Sequence, residues 1–406
     1  MLRLGAIGLG NRACKYLKYL ELNPGVARLC AAADPDRYRC RRIARRFSLP
    51  DGCVFSSAED LFASGHELDA VIIASPDRTH FGFAMQAVER GWAVLLEKPV
   101  ATTLEECMAL ERAAAAKGVT VAVCYVLRFY PLYAKIREIV SSGALGRIVS
   151  VRHRIDVGAD RMTHTFVRGL WAREEDSSPI LLSKAVHDID ILCWIAGEKA
   201  VGAESSGGLV FFRRENAPEG SAERCADCAE EKQCPYSAAD LYLRRNAWNE
   251  GFEIPPGGTK TDAVMRELVS GRYGRCVFRC DNDVADRQSV RMMLESGAEV
   301  RLELDGTGPR EGRRTVILCE KGSVATDGNY IKVRRSGERK CEVFDMSGYS
   351  AMPLHGGADL AAAEDFIEAV SGNRELRGAD ISSAVCSHGV CFMAEESRKL
   401  LQNGKL

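Results

Sequence analysis

The chain has 406 residues, 46% of them hydrophobic and 27% charged, and a formal net charge of −1 at pH 7. This length and composition predict a globular protein of about two or three domains. The near-zero net charge gives no electrostatic reason to expect nucleic acid or a membrane surface as a partner. In the sequence, no apolar stretch approaches the roughly 20 residues that a membrane-spanning helix needs.

The start of the chain and its cysteines predict where the protein works. The opening MLRLGAIGLG is too short an apolar run for a signal peptide and indicates a strand instead. The 16 cysteines are scattered through segments of both core and surface character. In a long chain without a secretory signal, this usage predicts reduced thiols and a cytoplasmic location.

The first third of the chain alternates short apolar runs with helical patterns, which is typical of a parallel sheet wrapped by helices. We expect strands at residues 2–7, 26–33, 70–74, 93–96 and 120–125, and helices at 11–22, 80–90 and 103–117. Residues 1–125 are therefore predicted to form an α/β Rossmann domain with a doubly wound parallel sheet.

The turn between the first strand and the first helix, GLGNRA, fits the pattern G-x-G-x-x-A. Gly8 allows the tight turn, and Gly10 lets the backbone approach a pyrophosphate at the helix N-terminus. Asn11 and Arg12 follow at the start of the helix. Asp34 ends the second strand near the roughly 20-residue spacing expected for a carboxylate that binds the adenosine ribose. The strand, the glycine-rich turn, the helix that follows it and the acidic residue after the second strand together predict a bound dinucleotide.

The charge beside the ribose site distinguishes the two cofactors. Asp34 would repel the 2′-phosphate of NADP, so NAD is the predicted cofactor. Arg37 and Arg39 lie nearby in the sequence and keep NADP as the alternative.

Three later motifs carry a family resemblance: ASPDRTH at residues 74–80, EKP at 97–99 and YVLRFYP at 125–131. Their succession resembles the glucose–fructose oxidoreductase, inositol dehydrogenase and rhizopine-catabolism (Gfo/Idh/MocA) family. The resemblance implies an NAD(P)-dependent oxidoreductase acting on sugars, polyols and related compounds. It also implies a C-terminal α+β domain, residues 126–406, built on an open and largely antiparallel sheet that mediates a homodimer or homotetramer.

The same resemblance assigns residues to the site. In the family pattern, Lys98 projects from a strand end towards the nicotinamide. The positive charge that develops on the nicotinamide would lower the pKa of Lys98 and suit this lysine to proton transfer. A solvated lysine at a strand end is the alternative interpretation. The other residues implied to bind the cofactor are Ser75, Pro76, His80 and Glu97, and those implied to bind substrate are Tyr125 and Arg128.

A second signature of the family is a helix bearing D-x-x-x-H, whose matching segment here is LLSKAVHDID. His187 stands in its place and shares a helix face with Lys184. The position of the Asp is taken by Ser183, so the family's Asp–His relay does not carry over directly. Lys184 adds a cation that favours a neutral His187 or an anionic group on the substrate. A core histidine in an amphipathic helix is the alternative.

The second domain is expected to contain an antiparallel meander, with strands at residues 148–156, 290–294, 298–304 and 330–334, followed by helices at 361–370 and 381–401. It also contains a polar, irregular insert at about 216–256. In this insert Cys225, Cys228 and Cys234 follow the spacing C-x₂-C-x₅-C, which supplies three ligands for a structural zinc ion. Free thiols are the equally weighted alternative.

The connecting segment MTHTFVRGLW is rich in groups that bind sugars. His164 and Arg168 can donate to hydroxyl or carboxylate oxygens, and Trp171 offers a flat face for a sugar ring. Packing at the surface is the alternative for all three.

These features predict hydride transfer between NAD and a carbinol carbon of a sugar, polyol or sugar derivative. Lys98 would serve as acid/base, with His187 as the second proton-handling group. An NAD-dependent glycosidase that works by transient oxidation and elimination is the alternative enzyme. A sensor that binds NAD(H) without catalysis is the alternative from another class.

Overall fold

The structure is a computed structural model that describes residues 1–404. The first part of the chain alternates strands with helices. Its elements are β1 (Leu2–Ile7), α1 (Asn11–Leu22), β2 (Ala27–Ala33), α2 (Arg37–Phe47), β3 (Val54–Phe55), α3 (Ala58–Ala63), β4 (Ala70–Ile73), α4 (His80–Glu89), β5 (Ala93–Leu96), α5 (Leu104–Lys117) and β6 (Val121–Val123). Strands β1 to β6 are parallel in the order β6-β5-β4-β1-β2-β3.

Local sequence explains these elements. Strands β4 and β5 are the runs AVII and AVLL, and every residue in them is buried because helices cover both faces of the sheet. Helix α5 begins after Thr103, whose side chain accepts a hydrogen bond from the Glu106 amide. It ends at Gly118, which adopts the left-handed conformation with φ of 61°.

The middle of the chain builds a second sheet. Its elements are α6 (Pro131–Ser141), β7 (Ile148–Asp156), the short α7 (Ala159–Arg161), α8 (Val186–Ala196), β8 (Ala200–Gly208), α9 (Lys260–Val269), β9 (Arg287–Leu294), β10 (Glu299–Asp305), β11 (Gly312–Cys319), β12 (Gly322–Thr326), β13 (Tyr330–Arg335) and β14 (Glu342–Asp345). The strand order is β14-β13-β12-β11-β7-β10-β9-β8, and every neighbouring pair except β7–β10 is antiparallel. Buried and exposed residues alternate along β10 and β11, so one face packs on the core and the other is open.

The C-terminal segment returns to the first sheet. It comprises α10 (Ser347–Ser350), α11 (Pro353–Gly356), α12 (Ala358–Val370), β15 (Ala379–Asp380) and α13 (Ile381–Gln402). Strand β15 pairs antiparallel with β6 at the edge of the first sheet. Helix α12 packs on α1, and α13 packs on α5, α8 and β8, so α13 links both sheets.

The architecture confirms the predicted fold class, a parallel Rossmann sheet followed by a largely antiparallel one. The boundary placed at residue 125 stays a prediction. Within residues 1–404, no helix combines the length and apolarity needed to cross a membrane.

Candidate active site

The carboxyl ends of β1, β4 and β5 lie at one edge of the parallel sheet, where folds of this kind bind their ligands. Gly8 follows β1 with φ of +80°, and a Cβ there would lie 2.6 Å from the Ser75 amide nitrogen. Gly10 precedes α1 and gives it no side-chain cap. Among the described residues, a Cβ on Gly10 would meet Arg39 Nη1 at 3.9 Å and otherwise face open space. The first amides of α1, beginning at exposed Asn11, are therefore open to an anion such as a pyrophosphate.

Asp34 joins the end of β2 to this glycine-rich turn. Its carboxylate is 3% exposed and accepts hydrogen bonds from the Leu9 amide at 2.7 Å and from the Asp36 amide at 2.8 Å. Arg39 Nη1 lies 3.6 Å from its Oδ2. A carboxylate accepts about four hydrogen bonds, so Asp34 retains capacity for a ribose hydroxyl while it holds the turn.

Glu97, which is buried, forms an ion pair with the half-buried Arg12 at this edge of the sheet. Arg12 Nε lies 2.5 Å from Glu97 Oε1, and the Tyr16 hydroxyl donates to the same oxygen at 2.5 Å. Arg12 Nη2 also lies 2.9 Å from Asp359 Oδ1 on α12. Burial alone would raise the pKa of Glu97, but Arg12 and Lys98 hold that pKa below its usual value.

The motif after β4 is tied to the Lys98–Pro99 bond, which is cis. The ring nitrogens of His80 lie 2.6 Å from the Pro99 carbonyl oxygen and 2.7 Å from the Ser75 carbonyl oxygen, and the ring is buried. Pro76 is exposed at the turn between them. His80 therefore positions these two loops.

Lys98 and the segment before α8 meet at this edge. The half-buried Lys98 donates from Nζ to the Ser183 carbonyl, and Ser183 lies in a π-helical turn, Leu181–Ala185, that leads into α8. Such turns occur often at functional sites. Burial lowers the pKa of Lys98, an effect that Asp77 and Glu97 partly oppose.

His187 stands in the first turn of α8, on the same side as Lys98. Burial, with Lys98 next in effect, holds its pKa well below the usual value, so the imidazole is neutral at pH 7. Its Nδ1 is buried and has no hydrogen-bond partner among the described residues. The ring meets Tyr125 edge-on, with 5.5 Å between centroids.

The residue that supports Tyr125 comes from the far end of the chain. His388 on α13 accepts the Val100 amide at Nε2, at 2.9 Å, and its Nδ1 lies 3.1 Å from the Tyr125 hydroxyl. Burial lowers the pKa of His388 to about 4. His388 thus connects the strand end that carries Lys98 to the ring that contacts His187, and nothing in the sequence singled it out.

Arg128 and Tyr125 both contact other groups of the protein. Arg128 donates through Nε and Nη2 to the two carboxylate oxygens of Asp190, at 2.8 and 2.6 Å, and through Nη1 to the Gly378 carbonyl. Tyr125 is buried against the two histidines. Both residues therefore contact α8, through Asp190 and His187, and their contact with substrate stays a prediction.

Lys184 lies one residue after Ser183 in the π-helical turn and is half-buried. Among the described residues it has no hydrogen-bond or ion-pair partner. Burial, followed by the positive charges of Arg313 and Arg161, lowers its pKa to about 7.

The segment predicted to bind sugar contacts other parts of the protein through all three of its predicted site residues. His164 stacks on Tyr273 with 4.8 Å between ring centroids, and burial lowers its pKa to about 4. Trp171 donates from Nε1 to the Asp77 carboxylate at 3.1 Å. Arg168 is 0% exposed and donates to the carbonyls of Arg275 and Tyr236. Because Arg168 is enclosed by protein, its expected role in substrate binding does not agree with this structure.

The three cysteines of the insert lie beside a cavity of about 20 Å³. Cys225, Cys228, Cys234 and Cys276 line it. The Cys225 sulfur accepts hydrogen bonds from the Ala238 amide at 3.4 Å and from Arg168 Nη2 at 3.7 Å. Over residues 1–404, no three His, Cys, Asp or Glu side chains are arranged to hold a metal ion, and the thiols are free. The structure therefore gives no support to the zinc hypothesis for this loop.

Comparisons with known proteins agree with this geometry. The model of the oxidoreductase family with an NAD-binding Rossmann fold matches residues 2–125, and the GFO/IDH/MocA C-terminal domain matches residues 133–220. Putative oxidoreductase YteT of Bacillus subtilis is 24% identical over 64% of this chain and 60% of its own length. Inositol 2-dehydrogenase 2 of Saccharopolyspora erythraea is 31% identical over 50% of this chain and 56% of its own length. The chain thus matches little more than half the length of these two relatives. Inositol 2-dehydrogenase 4 of the same organism is 29% identical over 80% of this chain and 93% of its own length.

Solved structures share the fold at low sequence identity. An oxidoreductase from Agrobacterium radiobacter, in complex with NAD⁺, L-tartaric acid and magnesium, has a TM-score of 0.70 at 16% identity, over 98% of this chain and 96% of that one. The WlbA dehydrogenase from Bordetella pertussis, in complex with NADH and UDP-GlcNAcA, has a TM-score of 0.68 at 17% identity, over 98% and 95% of the two chains. Together with the two family models, these findings show that the chain belongs to the Gfo/Idh/MocA family of NAD-binding oxidoreductases.

Proposed function

We propose that this protein is an NAD-dependent dehydrogenase that transfers a hydride between the nicotinamide and a carbinol carbon of a sugar, polyol or sugar derivative. The observation that carries the proposal is the meeting of Lys98 with the turn that leads into His187, at the sheet edge that also bears the glycine-rich turn. Membership of an oxidoreductase family and the inositol dehydrogenases among its relatives support the reaction class.

The residues around the glycine-rich turn suit NAD. The uncapped start of α1 can bind the pyrophosphate, and Asp34 can accept a ribose hydroxyl. When bound, NAD supplies the hydride acceptor or donor. Arg39 lies near Asp34 and leaves NADP as the alternative cofactor, because a guanidinium can bind a 2′-phosphate.

Lys98 is suited to handle the proton of the substrate hydroxyl. Burial lowers its pKa, which brings the ammonium closer to release of a proton near neutral pH. The Ser183 carbonyl accepts a hydrogen bond from the Nζ atom, and the Glu97 carboxylate accepts one from the Lys98 backbone amide at 3.1 Å. His187, being neutral, offers one donor and one acceptor nitrogen and serves as the second polar group towards the hydroxyl. Ser183 replaces the family's Asp, so Tyr125 rather than a carboxylate orients the His187 ring.

The open face of the second sheet supports assembly into a homodimer or homotetramer. Val316 and Leu318 on β11 are exposed there, alternating with buried residues. Apolar side chains on an open sheet face are typical of contacts between subunits.

A substrate panel tests the proposed function. Polyols, sugars and sugar acids are incubated with NAD and, in separate reactions, their oxidised forms with NADH, and the absorbance of NADH is followed. We expect turnover with at least one compound and a loss of about 10²–10⁴-fold in kcat for Lys98→Ala. The matched control is Lys117→Ala, an exposed lysine at the end of α5. Binding of NAD without turnover of any compound would contradict the proposal.

A further inference from the structure

Of the three cationic side chains around Lys184 and including it, only the Lys184 ammonium forms no ion pair among the described residues. Arg161 pairs with Glu311, with Nε 2.7 Å from Oε2, and it also lies over the Trp248 ring. Arg313 pairs with Asp188 through two hydrogen bonds, one of them 3.0 Å from Nη2 to Oδ2. Both guanidinium groups near Lys184 are thus neutralised by a carboxylate. Glu311 and Asp188 also raise the pKa of Lys184, but among the described residues neither carboxylate forms an ion pair or a hydrogen bond with it.

A half-buried ammonium without a counter-ion is unfavourable in the free protein, because burial removes part of its hydration. The lowering of its pKa to about 7 has this same physical cause. An anion placed beside Lys184 would offset the cost and favour the charged form. The unpaired charge therefore indicates a ligand that brings the missing anion.

Lys184 belongs to the turn that contacts Lys98. Lys184 follows Ser183, whose carbonyl holds the Nζ atom of Lys98. It precedes His187 by three residues along the chain, and the charge of Arg313 lowers the pKa of both residues. Arg161 lowers the pKa of both Lys98 and Lys184, so a group bound to Lys184 would lie in the same charged region as Lys98.

We propose that the substrate is a sugar acid whose carboxylate binds Lys184, close to the carbinol carbon that is oxidised. This inference rests on the proposed function and narrows its substrate class. One unpaired ammonium matches a singly charged carboxylate, whereas a phosphate monoester carries about −1.5 to −2 charges at pH 7. Binding to Lys184 is the role assigned here; proton transfer remains with Lys98.

The test measures binding separately from turnover. D-glucuronate, D-galacturonate and D-gluconate are titrated into the protein saturated with NADH, each beside its neutral methyl ester. We expect at least one acid to bind about 10–150-fold more tightly than its ester, as a charge-assisted hydrogen bond would give. In Lys184→Met that preference should fall to about one, whereas Lys184→Arg should keep most of it. The exposed Lys117→Met serves as the control and should keep it fully.

The outcomes separate the two proposals. Equal affinity for every acid and its ester, or tighter binding of glucose 6-phosphate than of any acid, overturns the carboxylate assignment. A preference for the acid that Lys184→Met leaves intact also overturns it. Charge-selective binding that needs Lys184, without NADH formation from NAD, would support the carboxylate site and count against the dehydrogenase. Loss of kcat in Lys184→Arg with unchanged binding of the acid would overturn the binding role in favour of proton transfer.

Discussion

Replacement of Asp34 by alanine should lower both the affinity for NAD and the stability of the folded protein. Its carboxylate accepts the amides of Leu9 and Asp36 in a buried position. A buried donor that loses a charged acceptor costs roughly 1–3 kcal/mol. The buried Leu9 amide contributes about 1–3 kcal/mol and the part-buried Asp36 amide about 1 kcal/mol, so the free energy of unfolding should fall by about 2–4 kcal/mol. Loss of the ribose contact, roughly 1.5–3 kcal/mol, predicts an affinity for NAD about 10–150-fold lower.

The neighbouring carboxylate supplies a matched control. Asp36 caps α2 by accepting the amides of Tyr38 and Arg39, and it is exposed. Asp36→Ala should cost about 1 kcal/mol of stability through the lost cap and leave NAD affinity nearly unchanged. Urea denaturation measures stability, and calorimetric titration measures the affinities for NAD and NADP.

The effect on NADP distinguishes charge recognition from simple disruption. In Asp34→Ala the repulsion of a 2′-phosphate disappears while Arg39 remains, so NADP should lose less affinity than NAD or gain some. Equal losses for both nucleotides would mean that Asp34 acts only by holding the glycine-rich turn. An unchanged midpoint in urea together with unchanged NAD affinity would refute the reasoning altogether.

Three further changes have defined outcomes. His388→Ala leaves the Val100 amide without its acceptor and should lower stability by about 1–3 kcal/mol in urea denaturation, while His388→Gln, which keeps an acceptor, should recover part of the loss. The same alanine variant should lower kcat more than it changes the affinity for NAD, and equal effects on both would contradict a positioning role. Because the pKa of Lys184 is about 7 in the free protein, its ammonium predominates below that pH, so affinity for a sugar acid should fall as pH rises through 7 and beyond. Calorimetry at several pH values checks this, and a pH-independent affinity would argue against Lys184 as the anion's partner.

The cofactor side of the site is predictable because it depends on short stretches of sequence. The glycine-rich turn, the acidic end of β2 and the motif at Lys98 each follow a strand directly. In a parallel sheet these strand ends lie at one edge, so local patterns are enough to bring them together. The exact roles within that set were less predictable, since Glu97 and His80 bind neighbouring protein groups in the structure.

The supports of the site could not be found from sequence patterns. His388 reaches Tyr125 across 263 positions, and Asp359 reaches Arg12 from α12. Such contacts depend on how the C-terminal segment packs on the first sheet, and no local spacing encodes them.

Residue type alone did not indicate that Arg168, in the segment predicted to bind sugar, is fully buried. Arg168 is chemically suited to bind a carboxylate, but its buried guanidinium donates hydrogen bonds to the carbonyls of Arg275 and Tyr236. Arg168 also contacts the cysteine loop, where its Nη2 atom lies 3.7 Å from the Cys225 sulfur. Spacing predicted ligands there, while the arrangement of the side chains depends on packing between segments that are distant in sequence.

Formation of NADH from NAD and a panel of polyols, sugars and sugar acids, by the wild type and by Lys98→Ala, tests the central claim most directly. Lys98 lies at the sheet edge with its Nζ held by Ser183, so its loss should remove proton transfer without removing the nucleotide site. The account predicts NADH formation with at least one compound, kcat lower by about 10²–10⁴-fold in Lys98→Ala, and similar NAD affinity in both proteins. Turnover at the wild-type rate in Lys98→Ala, or no NADH from any compound despite bound NAD, would contradict it.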